Sequence, residues 1–501
     1  MTSSLPRSEL VLYFILWTGG VVYSIYNVYS TGRKYYDLNR PGDEFTPGWS
    51  WLGGALQDQS DYELESWFEF LYILGPWLVI HLSVSLLIEK ILQEALCSWY
   101  ILVSVLFLWE YIGISLSVFV LLQPCVFYML RWIGNRSLVW GASLLFLISM
   151  MYFNYFLTSE KVSDQQSYML EMAMYWTHLR CLSLSLDKQQ YSVVQYFAYT
   201  LYLPTLFLGP HITIYHFHKK PSHTVTLSHR LLNLLFELTR YLFWLFIIRL
   251  ALHFIYVNAL QLQIDFIEDL SGWTMNGLGY CMGQYFHLKY VAIYGITTCV
   301  ARCENIDAPG VPTCVARVHK YSAMWRYFDR GLYHFLTRYL YHPWCSTNLL
   351  SPLCTKLSGS LLCFTFIWLW HGPSHLFVLV WAVLNFVGVS IEALCKEVNQ
   401  MGVMKRIRTK LGPSNTERVE GVCATPLTIL SIMSNIYFFG GMEVGNAYVR
   451  YILQGGWLYT VPFIYSLRHV SVTIEQREQK NAIPLDQQCP QVSVGKHRKH
   501  K

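Results

Sequence analysis

The stretch LLCFTFIWLWHGPSHLFVLVWAVLNFVGV, residues 361–389, decides the fold. An apolar run ends at Trp370, His371 and the turn Gly372-Pro373 interrupt it, and a second apolar run follows. A helix needs about 20 mostly apolar residues to cross a bilayer. Similar runs cover residues 10–29, 69–88, 96–109, 111–130, 137–157, 192–210, 231–256, 280–300, 357–371, 376–394, 424–440 and 456–470. The runs 96–109 and 357–371 are short, so they are re-entrant or fuse with a neighbour. The pattern predicts an all-α polytopic membrane protein with about ten to twelve membrane segments, re-entrant ones included.

Composition agrees. Of 501 residues, 53% are hydrophobic and 14% charged, against roughly 25% charged in soluble domains. Lipid rather than charge covers most of such a surface. No internal repeat or low-complexity linker divides the chain, so residues 1–501 read as a single integral domain. Arg7 is followed by Glu9, and no small-residue cleavage site follows the first apolar run, so that run reads as a retained anchor.

Charge sets an expected orientation. The loop 396–418 carries Lys396, Lys405, Arg406, Arg408, Lys410 and Arg418. The loop 217–230 carries Lys219, Lys220 and Arg230, and residues 480–501 form a basic tail. The positive-inside rule puts these three segments in the cytosol. The loop 31–66 leans acidic, with Asp58, Asp61, Glu63 and Glu65 near its end, and is free to be lumenal. Helix 376–394 runs into the basic loop, so His371 lies toward the lumen. The closing residues Arg498-Lys499-His500-Lys501 resemble a basic retrieval signal of the endoplasmic reticulum. Nothing in the charge pattern suggests nucleic acid.

Ionisable groups inside a membrane domain are candidates for chemistry. His371 ends one segment beside a backbone break; the alternative is a core histidine bonded to a carbonyl. The segment 314–345 reads as an amphipathic helix with Arg326, Arg330, His334 and Arg338 along one side. Such cations rest on a membrane surface or face the phosphates of a carrier such as CoA. Asp329 lies between Arg326 and Arg330, where a surface ion pair is the simple reading. A second polar stretch, 173–188, contains His178, Arg180 and Asp187. The 13 cysteines form no CxxC pair. No GxSxG elbow, HExxH zinc motif, P-loop or Asp-His-His-Cys signature occurs. General-base chemistry on histidine is what remains.

The words of the sequence then add a resemblance. Met324-Trp325-Arg326-Tyr327-Phe328-Asp329-Arg330-Gly331-Leu332-Tyr333 resembles the signature of the membrane-bound O-acyltransferase superfamily, most of all its Hedgehog acyltransferase branch. Trp370-His371-Gly372 is similar to the superfamily's catalytic histidine segment, and Ser434-Asn435 with Phe439-Gly440-Gly441 to the branch's late segment. The resemblance implies transfer of palmitoyl from palmitoyl-CoA, in amide linkage, to the N-terminal cysteine of a Hedgehog-type ligand. EGF-like ligands are a further implied acceptor class. His371 would be the catalytic histidine and Asp329 its acidic partner. Trp325, Trp370 and Asn435 would line the acyl-CoA path, with Arg326 beside it. Cys314 stands where the family has a cysteine ligating haem b. A paralogue group that lacks the histidine is thought inactive; this sequence keeps it. The implied setting is the endoplasmic reticulum or Golgi membrane. Two alternatives stay open: a lipid or sterol O-acyltransferase of the same superfamily, and a non-catalytic membrane scaffold.

Overall fold

The computed structural model describes residues 4–38, 42–157, 162–219, 225–317, 319–347 and 349–481. The tail 482–501, where the retrieval-like residues fall, lies outside them. The principal helices are α1 (Arg7–Leu38), α2 (Tyr62–Ile91), α3 (Leu96–Ile133), α4 (Arg136–Met150), α5 (Asp164–Leu186), α6 (Leu227–Ala251) and α7 (Gly272–Cys303). They continue with α8 (Tyr321–Tyr327), α9 (Arg330–Leu336), α10 (Pro352–Trp370), α11 (Leu376–Gln400), α12 (Gly402–Tyr451) and α13 (Trp457–Asn481). Two three-residue strands, Phe45–Pro47 and Leu56–Asp58, pair antiparallel.

Seven helical stretches among the described residues are long and apolar enough to cross a membrane. Some hold more than one segment. Gly113 in α3 has φ +79° and ψ 170°, a left-handed geometry that disfavours any side chain. It breaks α3 just inside the start of the run 111–130. Gly412 and Gly441 break α12 in the same way.

The run 192–210 behaves differently from its hydropathy. Helix stops at Thr200, because Pro204, Gly209 and Pro210 cannot sustain it. Residues 201–213 instead form an irregular loop that is buried throughout. Irregular backbone at membrane depth is stable only inside protein with its polar groups bonded. Arg180, 1% exposed, donates to the Thr200 carbonyl at 3.2 Å and to Thr205 Oγ1 at 2.7 Å. Thr297 donates to the Gly209 carbonyl at 2.7 Å, and Tyr199 to that of Ile212 at 2.7 Å. The polar stretch around Arg180 is therefore scaffold for this loop.

A second device joins distant parts. The buried Lys289 of α7 sits 2.7 Å from Asp61 and 2.6 Å from Glu63, at the start of α2. Tyr285 and Tyr290 donate to the same two carboxylates. Part of the acidic segment is thus an interior ion cluster rather than a solvated loop. At the opposite end of α1, Glu9 pairs with Arg418 at 2.6 Å, which ties the N-terminus to the basic loop.

Candidate active site

The segment 314–345 is not one helix. Asp329 has extended backbone, φ −114° and ψ 93°, and its Oδ1 accepts the Leu332 N–H at 2.8 Å. An aspartate in that conformation is an N-cap. It ends the register of α8 and starts α9, so Arg326 does not continue the row of Arg330, His334 and Arg338. A π-helical turn, Thr337–Tyr341, follows. Arg326 is exposed, with its guanidinium 5.9 Å from the Tyr333 ring. Arg338 is spent on Asp187 at 2.9 Å.

His371 terminates α10; its N–H bonds to the Ile367 carbonyl at 2.9 Å. Gly372 follows with φ +98° and turns the chain sharply toward α11. The imidazole centroid lies 4.8 Å from Trp370, 5.4 Å from Phe438 and 5.8 Å from Trp381. Trp325 packs on Trp381 at 5.0 Å and on Phe364 at 4.8 Å. Its indole N–H donates to Asn385 Oδ1 at 3.2 Å, and Asn385 donates to the Trp381 carbonyl at 2.7 Å. Trp370 is fixed by a 3.2 Å bond to the Tyr175 carbonyl. Two indoles, Trp370 and Trp381, and Phe438 therefore box the imidazole, with Trp325 packed behind Trp381.

No hydrogen bond from the described residues reaches the His371 ring, which is only half-buried. Its nitrogens remain available to a substrate. Burial among the rings, with His375 close by, pulls the imidazole down to about 4, so it is neutral at pH 7. A neutral imidazole can accept a proton.

Asp329 does not bond His371. Its Oδ2 accepts the Tyr294 hydroxyl at 3.2 Å. Two ring paths connect the groups. Tyr294 meets Trp176 at 6.2 Å, and Trp176 meets Trp370 at 5.3 Å. On the other side Phe328 stacks on Phe286 at 5.5 Å, and Phe286 meets Phe438 at 5.8 Å. The two candidates are thus linked through aromatic packing on two sides. Burial raises the Asp329 carboxyl above its usual range. Asn435 lies one turn before Phe438 on α12, its amide donating to the Ser431 carbonyl at 2.8 Å.

Trp381, Phe438, Asn385, Trp176 and Tyr294 belong to this site, and sequence reasoning did not single them out. Each sits in an apolar helix, where an aromatic or a lone amide reads as core. The helix break after His371 was the one local signal, because α11 returns antiparallel beside it and brings Trp381 back to the histidine.

Cys314 is half-buried, with its thiol 4.0 Å from Gln284 Oε1 and the Arg317 guanidinium within hydrogen-bonding reach. No group of three or more His, Cys, Asp or Glu side chains suited to a metal ion occurs among the described residues. What this position offers is one half-buried thiol outside any such group.

Residues 119–434 match the membrane-bound O-acyltransferase family, and the chain belongs to it. Within the family it is 30% identical to the protein-cysteine N-palmitoyltransferase Rasp of Drosophila melanogaster, over 91% of each chain. It is 28% identical to the mouse protein-cysteine N-palmitoyltransferase HHAT, over 94% of this chain and 99% of that one. A mouse HHAT-like protein is 25% identical over 97% of this chain.

Proposed function

We propose that the protein transfers palmitoyl from palmitoyl-CoA to the N-terminal cysteine of a secreted Hedgehog-type ligand, forming an amide. The observation that carries this reading is the unbonded imidazole of His371 inside an aromatic box. The full-length likeness to two protein-cysteine N-palmitoyltransferases supports the choice of acceptor. EGF-like ligands form a second acceptor class, and the membrane of the endoplasmic reticulum is the proposed site of action. Positive-inside logic supports this geometry: donor at the basic, cytosolic end, and His371 toward the lumen where a secreted acceptor waits.

An α-amino group has a pKa of about 7.7–8.0, so much of it is an ammonium at pH 7. The neutral fraction of the amine is the nucleophile, and His371 takes the proton that its nitrogen sheds as the C–N bond forms. The nitrogen attacks the thioester carbonyl carbon, the C–N bond forms and the C–S bond breaks. CoA leaves as a thiolate and takes up the proton held by His371. Asp329, held by Tyr294 and the α9 cap, lends negative charge across that aromatic packing and stabilises the cationic intermediate states. Trp325, Trp370 and Asn435 flank the acyl chain. Arg326 and Arg330 offer positive charge to the CoA phosphates.

Haem b on Cys314 would have that thiolate as its protein ligand. When bound, haem would supply a structural anchor for the segment before α8; acyl transfer uses none of its redox chemistry. A Soret band lost in Cys314→Ala tests the ligand.

The test of function uses purified protein, labelled palmitoyl-CoA and a Hedgehog N-terminal peptide, free or N-acetylated. The expected result is labelling of the free peptide only, lost in His371→Ala. Equal labelling of sterols or lipids, with no preference for the free cysteine, would replace this reading by the O-acyltransferase one.

A further inference from the structure

Away from His371, α2, α3 and α5 enclose a notch of about 340 Å³ whose lining includes Ile73, Phe107, Glu110, Tyr111, Ser163 and Gln165. It opens where α3 breaks at Gly113 and α5 begins. Gln165 donates to the Ser66 carbonyl at 3.1 Å, and Gln166 to the Tyr111 carbonyl at 2.6 Å. These bonds fix the three helices to one another, so the notch is a built feature.

Its chemistry is one-sided. Glu110 is exposed at the wall. Glu69 lies one turn before Ile73, on the same face of α2, and is exposed. Asp164, between Ser163 and Gln165, is exposed as well. No described lysine or arginine forms an ion pair with any of the three, whereas Asp61, Glu63 and Glu65 nearby are all paired. Tyr111 supplies an independent sign. It is 6% exposed, and its hydroxyl has no hydrogen-bond partner. Buried hydroxyls are normally bonded. Ile73 and Phe107 add an apolar wall of the kind that takes the methylene stem of a long cation. The carboxylates are too dispersed to form a metal-binding group.

We propose that this notch is a subsite for one lysine or arginine side chain in the N-terminal segment of the acceptor protein. The proposal rests on the acyltransferase reading given above. The notch shares its end of the molecule with Asp61, whose Lys289 partner lies 5.8 Å over Phe286; Phe286 meets Phe438, and Phe438 meets His371. Tyr111 also touches Phe207, at 6.0 Å, in the buried loop behind Trp176 and Trp370. These contacts keep the notch within on the order of ten extended residues of His371. An acceptor seated at His371 by its terminus can therefore reach it with a nearby side chain.

The experiment uses the full chain in nanodiscs and peptides that begin with free cysteine and are otherwise uncharged. A single arginine is walked residue by residue along the peptide. Peptide binding and acyl transfer are both measured. At one or two positions the arginine should lower Kd and KM about tenfold, the effect of one charge-assisted contact, with kcat unchanged. Glu110→Gln and the double variant E69Q/E110Q should remove that gain while still acylating the uncharged peptide as the parent does. If no position gives a gain, or the gain survives both variants, the subsite is wrong. If transfer fails for every peptide but arginine-dependent binding persists and is lost in Glu110→Gln, the acyltransferase reading falls and the subsite stands.

Discussion

His81 on α2 and His371 after α10 both lie against aromatic rings inside the membrane domain. His81 is fully buried, stacks on Tyr100 at 5.2 Å, and bonds the buried Glu304 carboxylate at 3.1 Å. Tyr202 bonds the same carboxylate. His371 is half-buried and bonds nothing. His178 resembles His81: it is buried, stacked on Phe146 and bonded to Ser143 at 3.0 Å. The difference separates two uses of a costly side chain. An imidazole with one ring nitrogen bonded to a neighbouring element, as in His81 and His178, holds helices together. One that bonds nothing and is still partly exposed, as His371 is, stays open to a molecule that arrives later; the unbonded His211 differs in being sealed off completely.

The comparison can be broken by substitution. The largest expected effect is on His371→Ala: transfer falls by about 10²–10⁴-fold, the range for a positioned acid–base group, with the melting temperature near the parent's. Near-normal turnover would return His371 to the structural class. His81→Ala should do the reverse. It leaves the buried Glu304 with only the Tyr202 hydroxyl, at a cost of about 1–3 kcal/mol. Thermal scans should show a lower midpoint, while the surviving folded fraction keeps its kcat.

Asp329→Asn comes next. Asparagine still caps α9, so the fold should hold while kcat drops about 10- to 100-fold through lost charge. Unchanged kcat would reduce Asp329 to a cap. A smaller effect concerns pH. With His371 held down to about 4 by burial, the imidazole is neutral across the neutral range. The rate with a free-amine peptide should rise through about pH 7.7–8.0, as the amine titrates. An inflection near the ordinary histidine value instead would mean that His371 titrates as a solvated group. The smallest effect is Trp325→Phe, which keeps a ring on Trp381 and loses one bond to Asn385. A loss of about 1 kcal/mol in stability is expected, with a modest rise in KM for palmitoyl-CoA.

Some of this was legible in the residues. Apolar run lengths announced the all-α membrane fold, and the break after Trp370 drew attention to His371. Asp329 was legible through the motif around it, yet its local role was not. The spacing of Arg326, Arg330, His334 and Arg338 mimics one continuous helix. Only the extended backbone at Asp329 reveals that the helix restarts there. The run 192–210 misled for a related reason: hydropathy measures burial, and this loop is buried in protein rather than in lipid. Two walls of the box were illegible, because Trp381 and Phe438 meet His371 only through tertiary packing. The partners Asp61 and Lys289 are separated by most of the first half of the chain, and no local pattern announces them.

That last pairing has a consequence for synthesis. Asp61 and Glu63 leave the ribosome long before Lys289 does. Until α7 is inserted, the head of α2 carries two carboxylates whose cation has not yet been made. Nascent α2 must keep that end in water, and it can withdraw it only when α7 arrives. The ion cluster thus works as a timer for assembly: the interior beside His371 closes only after the ribosome has passed the middle of the chain.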